Sequence, residues 1–233
     1  MELTDGKKLN ILMATMQMGF GGAETHIYEL SRALTRDGHR VTVASAGGKY
    51  AELLEANGIR HVTLPLHTKN PMQVLRCYFG LKKLIEDLME MSKASTGNLT
   101  ADITKLDAVE SVNQALGEFA DKLEKAQLTP VFRHPEESVA MMADGRLAWR
   151  VLSNLLGNAV KYALPGTRLY IDVMALEGKV IISLKNISRD ELNVDADELM
   201  ERFVRGDDSR NTEGSGLGLN IAKTLMDLQK GQL

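Results

Sequence analysis

The spacing of apolar residues changes several times along the chain, and each change marks an element. Leu9 to Thr15 is an apolar run of strand length, followed by a glycine-rich turn, a helical pattern from about Gly22 to Asp37, and a second strand from Arg40 to Ala44. The unit then repeats. Gly38 stands where a helix C-cap belongs, Tyr50 to Asn57 reads as a short helix stopped by Gly58, and Arg60 to Pro65 reads as a third strand. Strands separated by helices in this rhythm predict a parallel sheet with right-handed crossovers, the opening of a doubly wound domain. Only three such strands are readable, and a sheet of this kind normally needs more to cover its faces and edges.

From Gly80 to Ser95 the pattern is that of one amphipathic helix, with Leu81, Leu84, Ile85 and Leu88 at i, i+3, i+4 and i+7. After Gly97 the plan is different. A strand is expected at Leu99 to Leu106, a helix at Ala108 to Ala126, strands at Thr129 to Phe132 and Val139 to Ala143, and a long helix at Asp144 to Ala163. Leu169 to Leu176 and Lys179 to Leu184 follow as a hairpin around Glu177-Gly178. Strands with helices on one face imply an α/β two-layer sandwich.

Composition narrows the possible partners. The chain has 233 residues, enough for one medium or two small domains at roughly 150 residues per domain. With 44% hydrophobic and 25% charged residues and a net charge of -3, it has no polyanion-binding signature, so nucleic acid is not expected. The single cysteine, Cys77, has no intramolecular disulfide partner, and His26, His39, His61, His67 and His134 show no metal-ligand spacing. No apolar run approaches the roughly 20 residues that span a bilayer, and MELTDGKK lacks the apolar core of a signal peptide. A cytoplasmic protein is expected, with no membrane partner.

Three stretches carry candidate chemistry. In MGFGGAETH, Gly19, Gly21 and Gly22 lie between a strand and a helix, where a ligand could approach backbone amides; a tight βα turn explains them equally well. In LSNLLGNAVKYA, Asn154, Asn158, Lys161 and Tyr162 share one helix face, while Val151, Leu152, Leu155 and Ala159 supply an apolar one. Asparagine oxygens suit Mg²⁺, a lysine suits phosphate and a tyrosine ring packs on a base, although a solvated helix face is the plain alternative. In NTEGSGLGLNIAK, Gly214, Gly216 and Gly218 alternate before a helix containing Leu219, Ile221, Ala222 and Leu225. This suits phosphate oxygens on backbone N–H groups, or merely a flexible loop.

The motifs together resemble two families. GFGGAETHIYELSRALTRDGHRVTVAS is similar to the N-terminal domain of family 4 glycosyltransferases of the two-domain GT-B type, a likeness covering about Leu9 to Ile85 within an expected fragment at residues 1–85. In that family the loop matching Gly19, Gly21, Gly22 and Glu24 faces the cleft where sugar acceptor and nucleotide-sugar phosphates meet. The rest of that sheet and the donor-binding domain are absent, so glycosyl transfer is not expected, and His26 is expected to be a half-buried structural residue. NLLGNAVKY, ELMERFVRGDDSRN and GSGLGL, in that order, resemble the N, F and second glycine boxes of the ATP-binding domain of sensor histidine kinases, a GHKL-type (Bergerat) fold. The expected fold is therefore an incomplete Rossmann-like βαβαβ unit, a connecting helix over residues 81–98 that resembles the end of the kinase dimerisation hairpin, and a GHKL sandwich over residues 99–233 lacking its last strands.

By this second resemblance Asn154 and Asn158 hold Mg²⁺, Lys161 meets phosphate, Tyr162 lines the adenine pocket, and Phe203 and Arg205 belong to the lid over ATP. Gly214, Ser215, Gly216, Leu217 and Gly218 form the phosphate loop. At the family's adenine-contacting aspartate the chain has Asn186, within KNIS, which can accept a hydrogen bond but carries no charge. Related ATPases place a glutamate base where this chain has Asn154; an amide cannot take a proton from water, so hydrolysis is disfavoured. None of the five histidines precedes an acidic residue, so the family's phosphoacceptor signature is absent and autophosphorylation within the chain is not expected. The resemblance implies a response regulator, or a kinase histidine in trans, as partner. Open strand edges predict a marginal protein that associates through them.

Overall fold

The computed structural model describes residues 8–95, 99–191 and 217–233. Those up to Ser95 form one compact unit and those from Leu99 onward another. In the first, strands β1 (Asn10–Ala14), β2 (Arg40–Ser45) and β3 (Arg60–Thr63) form a parallel sheet in the order β1-β2-β3, with α1 (Gly22–Arg36) and α2 (Lys49–Ala56) as crossovers. The central strand β2 is buried from Val41 to Ser45, whereas β1 is only half-buried. Met18, Val43, Leu54 and Ile59 form the core against which Ile27 and Leu34 of α1 pack.

The helix after the third strand, α3, runs without interruption from Pro71 to Ser95. It contacts β1, and a side chain at Gly80 would collide with Leu64, so the helix lies close against the residue that follows β3. Its buried stripe is Cys77, Leu84, Asp87 and Met91. Ile85, expected in the apolar stripe, is instead exposed.

In the second unit α4 (Ala108–Lys125) and α5 (Gly145–Tyr162) pack on a sheet of order β5-β7-β8, built from β5 (Thr129–Arg133), β7 (Arg168–Leu176) and β8 (Lys179–Lys185). β4 (Thr104–Asp107) and β6 (Ala140–Ala143) form a separate antiparallel pair. Leu169, Ile171 and Val173 of β7 point into the core with Val112, Phe119, Leu152 and Leu156, the alternation expected of a sheet covered on one face. The last helix, α6 (Gly218–Leu228), packs along α5 and buries Ile221, Ala222 and Leu225. β4 starts later than the apolar pattern suggests because the Asp102 backbone N–H is taken by the Asp144 carboxylate, 2.9 Å away, which removes that segment from the ladder.

The β7–β8 hairpin turns at Glu177 (φ 49°) and Gly178 (φ 77°), both left-handed, as a two-residue hairpin turn of right-handed strands requires. Glutamate fits that conformation poorly, asparagine far better. Glu177→Asn should therefore raise stability by about 0.5 kcal/mol, read as a higher urea midpoint with unchanged slope.

Candidate functional site

The site is built on α5, and its placement begins at the helix N-terminus. Asp144 caps that end: Oδ1 accepts from the backbone N–H of Arg146 at 2.9 Å and Leu147 at 3.3 Å. Its Oδ2 accepts from Asp102 N–H at 2.9 Å and from the Arg146 guanidinium at 3.0 Å. Burial raises the Asp144 pKa, but the N–H donors of Asp102, Arg146 and Leu147 outweigh it and hold the carboxyl below its ordinary value. The Asp144 backbone N–H donates to Gln229 Oε1 at 2.9 Å, so the start of α5 is tied to the residue that ends α6.

Sequence reasoning did not single out Asp144 or Gln229. An aspartate directly before a helical apolar pattern is a legible N-cap signal. Nothing local marks Gln229.

From this anchored start, Leu147, Val151, Leu152, Leu156 and Ala159 are buried, and the opposite stripe of Asn154, Asn158, Lys161 and Tyr162 is half-buried. Leu156, not the half-buried Leu155, completes the core face. Asn154 Nδ2 is shielded from solvent and has no hydrogen-bond partner among the described residues. Leaving an amide donor in that state costs on the order of 1–3 kcal/mol, which a ligand acceptor would recover.

Facing this amide is the first residue of α6. A Cβ on Gly218 would stand 3.5 Å from Asn158 Oδ1 and 3.8 Å from Asn154 Oδ1, ordinary contact distances, so the start of α6 lies directly against the amide oxygens of both asparagines. Two motifs about 60 positions apart in the chain are thus brought together by the packing of α6 on α5.

Lys161 Nζ donates to Tyr162 Oη at 2.8 Å and lies 4.6 Å from the centre of its ring, which fixes lysine and phenol as a pair at the end of α5. The KNIS segment pairs with this end: Leu164 N–H donates to Ile187 O at 2.8 Å, Arg189 N–H to Tyr162 O at 2.9 Å, and Ala163 and Ser188 form an antiparallel bridge. Asn186, at the start of the segment, is exposed. Leu217 is buried ahead of α6. Phe203, Arg205, Gly214, Ser215 and Gly216 lie outside the described residues.

The glycine loop of the first unit has a different geometry. Gly48 (φ 133°) packs so tightly on the loop that a Cβ would run into the Met18 carbonyl, and Tyr50 N–H donates to that carbonyl at 2.9 Å. Gly21 caps α1, its carbonyl accepting from Thr25 Oγ1 at 2.8 Å, and the Glu24 carboxylate lies over Gly21 where a side chain would stand. The helix N-terminus that would attract a phosphate is met by the chain's own carboxylate. Gly19 and Gly22 have open space around them. His26 is exposed rather than half-buried, because its position on α1 turns away from the sheet core.

These geometries agree with relationships detectable across the chain. Residues 143–233 match the sequence profile of the histidine kinase-, DNA gyrase B- and HSP90-like ATPases, and residues 20–90 match that of glycosyltransferase family 4. Two family profiles thus match this chain, over separate stretches. The sensor protein IrlS of Burkholderia pseudomallei is 29% identical over 156 residues, covering 66% of this chain and 33% of IrlS. The match thus spans about a third of that relative's length. The Acinetobacter baumannii histidine kinase AdeS superposes with a TM-score of 0.54 at 22% identity, over 71% of this chain and 77% of the AdeS chain. ShkA, solved full-length in complex with AMPPNP, superposes with a TM-score of 0.55 at 20% identity, over 70% of this chain and 35% of its own. At these identities the superpositions establish the fold: the second unit has the histidine-kinase ATPase architecture. Among the described residues no helix is long and apolar enough to cross a membrane.

Proposed function

We propose that the second unit binds Mg·ATP in the manner of a histidine kinase and passes its phosphoryl group to a histidine supplied in trans. The observation that carries this reading is the Asn154 side chain, whose Nδ2 is buried without a partner among the described residues and whose Oδ1 lies, with Asn158 Oδ1, beside Gly218. Asn154 and Asn158 would hold the metal through their amide oxygens, and the Asn154 amide would donate to a phosphate oxygen. Lys161 would add a positive charge, held in place by the Tyr162 phenol, and Tyr162 and Asn186 would frame the base from the paired end of α5. The bound nucleotide supplies the transferable phosphoryl group; the chain's residues bind and orient it. With Asn154 in place of a carboxylate, nothing on this stripe takes a proton from water, so transfer is favoured over hydrolysis. Phe203, Arg205, Gly214, Ser215 and Gly216 are proposed to complete the pocket. A response regulator would receive the signal, in the cytoplasm.

The glycosyltransferase-like loop is not proposed as catalytic, since Glu24 already occupies the anion-attracting end of α1. Titration calorimetry with AMPPNP and Mg²⁺ tests the main reading. Binding is expected, and Asn158→Ala should weaken it by about tenfold to a hundredfold, the worth of one charge-assisted contact. Absence of binding, or binding indifferent to Asn158→Ala, refutes it.

A further inference from the structure

Helix α6 lies antiparallel along α5. Its first residue, Gly218, stands beside Asn154 and Asn158, and the residue that closes it, Gln229, meets Asp144 at the start of α5. The two spans match. At about 1.5 Å per residue, Gly218 to Gln229 covers roughly 16 Å of helix axis and Asp144 to Asn154 roughly 15 Å. A helix of that length is stiff, so whatever fixes its last residue also fixes where its first residue stands.

Two kinds of contact hold α6 in place. Ile221, Ala222 and Leu225 bury an apolar stripe, and contact of that kind is non-directional: it sets the spacing of the helices and resists a slide along the axis less steeply than a hydrogen bond does. The bond from Asp144 N–H to Gln229 Oε1, at 2.9 Å, is steep in both distance and angle. Both of its ends are held. Gln229 Nε2 donates to Leu225 O at 3.0 Å, which ties the amide to its own helix, and Gly231 N–H donates to Met226 O at 2.9 Å, which closes the turn behind it. Asp144 is buried, and both of its carboxylate oxygens accept hydrogen bonds.

We propose that Gln229 is a positioning residue for the nucleotide site: by accepting the Asp144 N–H it sets the axial position of α6, and with it the place of the Gly218 backbone beside the amide oxygens of Asn154 and Asn158. This role rests on the Mg·ATP reading of that site. Gln229 stands a helix length from the asparagines and acts through α6. Its partner is the backbone of Asp144, which separates two roles that meet at one residue. The carboxylate caps α5 and governs stability; the backbone N–H receives Gln229 and governs the register of α6.

Calorimetry with AMPPNP and Mg²⁺ on the full chain compares wild type, Gln229→Met and Asp144→Ala, each below its own melting transition as followed by Trp149 emission. Methionine keeps the length and apolar stem of glutamine and lacks the acceptor. Gln229→Met should weaken binding about tenfold, the worth of one hydrogen bond, while lowering the melting temperature less than Asp144→Ala does. Asp144→Ala keeps its backbone N–H and should bind within about twofold of wild type although it is the less stable variant. A merely structural Gln229 predicts affinity untouched in both. Linkage adds a readout on the wild type: nucleotide should slow hydrogen exchange of the Asp144 N–H more than that of the Leu147 N–H, which the Asp144 carboxylate holds at the same helix end. Binding that Gln229→Met leaves unchanged, affinity that falls further in Asp144→Ala than in Gln229→Met, or equal slowing of the two amides would each overturn the proposal alone. No binding by the wild type would refute the nucleotide reading and remove this role with it.

Discussion

Gly218→Val is expected to abolish measurable binding of Mg·AMPPNP while the second unit stays folded. Gly218 is the first residue of α6 and its backbone is helical, so valine adds no left-handed strain. Its Cβ would sit at ordinary contact distance, 3.5 Å, from Asn158 Oδ1, and its two methyl groups would add apolar bulk beside the amide oxygens of Asn154 and Asn158. Apolar groups there would displace phosphate and metal and leave the Asn154 amide unpartnered. The loss should exceed about a hundredfold, since at least two charge-assisted contacts of about 1.5–3 kcal/mol each are forfeited. Gly218→Ala adds only the Cβ and should lose much less. Calorimetry gives the affinities, and emission from Trp149, the only tryptophan, shows that the unit remains folded. Trp149 stands on α5 and donates to Glu118 Oε2 at 3.0 Å on α4, so its emission follows the packing of those two helices. Unchanged affinity in the valine variant would remove the nucleotide from this place.

Asp144→Ala is expected to have the largest effect on stability. The substitution strips the α5 cap from Arg146 and Leu147 and orphans the Asp102 N–H, for a cost of about 2 kcal/mol. The Arg146 ion pair adds little, because that guanidinium is largely exposed. The pH dependence follows from the lowered carboxyl pKa, which burial opposes and the hydrogen-bond donors enforce. A carboxyl whose folded pKa is depressed contributes stability that is fully present above its unfolded value, near 4, and is lost as pH falls through the folded value. Asp107 behaves alike: the Ser138 hydroxyl, 2.6 Å from Oδ2, lowers its pKa first, and it caps α4 through Val109 N–H at 2.8 Å.

Chemical denaturation followed by Trp149 emission should thus show wild-type stability falling steeply below about pH 4, with a shallower fall in Asp144→Asn. Equal slopes would place the acid sensitivity elsewhere. Because Asp144 lies at the far end of α5 from the proposed pocket, nucleotide should still bind the folded fraction of Asp144→Ala and raise its midpoint.

Much of this was legible in the order of residues. Elements emerged from periodicity because a strand or helix must bury one face, and the spacing of Leu152, Ala159, Ile171 and Val173 records which face that is. The hairpin at Glu177-Gly178 was legible because two left-handed residues are needed there. The asparagine stripe was legible for the same reason as the core: i and i+4 lie on one face whatever the helix packs against.

The misread positions depend on contacts distant in sequence. β4 begins late because Asp102 is held by Asp144, 42 residues away, and Ile85 is exposed because the helix rotates its other stripe inward. His26 is exposed because α1 meets the sheet through Ile27 and Leu34.

By itself, then, the sequence determined the kinds of element, their order, the two family signatures and the residues proposed to bind Mg·ATP. Tertiary structure alone decided that Gly218 stands over Asn154 and Asn158, that Gln229 closes on Asp144 across 85 residues, that Glu24 fills the space at Gly21, and that one apolar stripe of α3 faces outward. The reason is physical. Periodicity records that a face must be covered, whereas the group that covers it is chosen by packing and hydrogen bonding between segments that no local pattern relates.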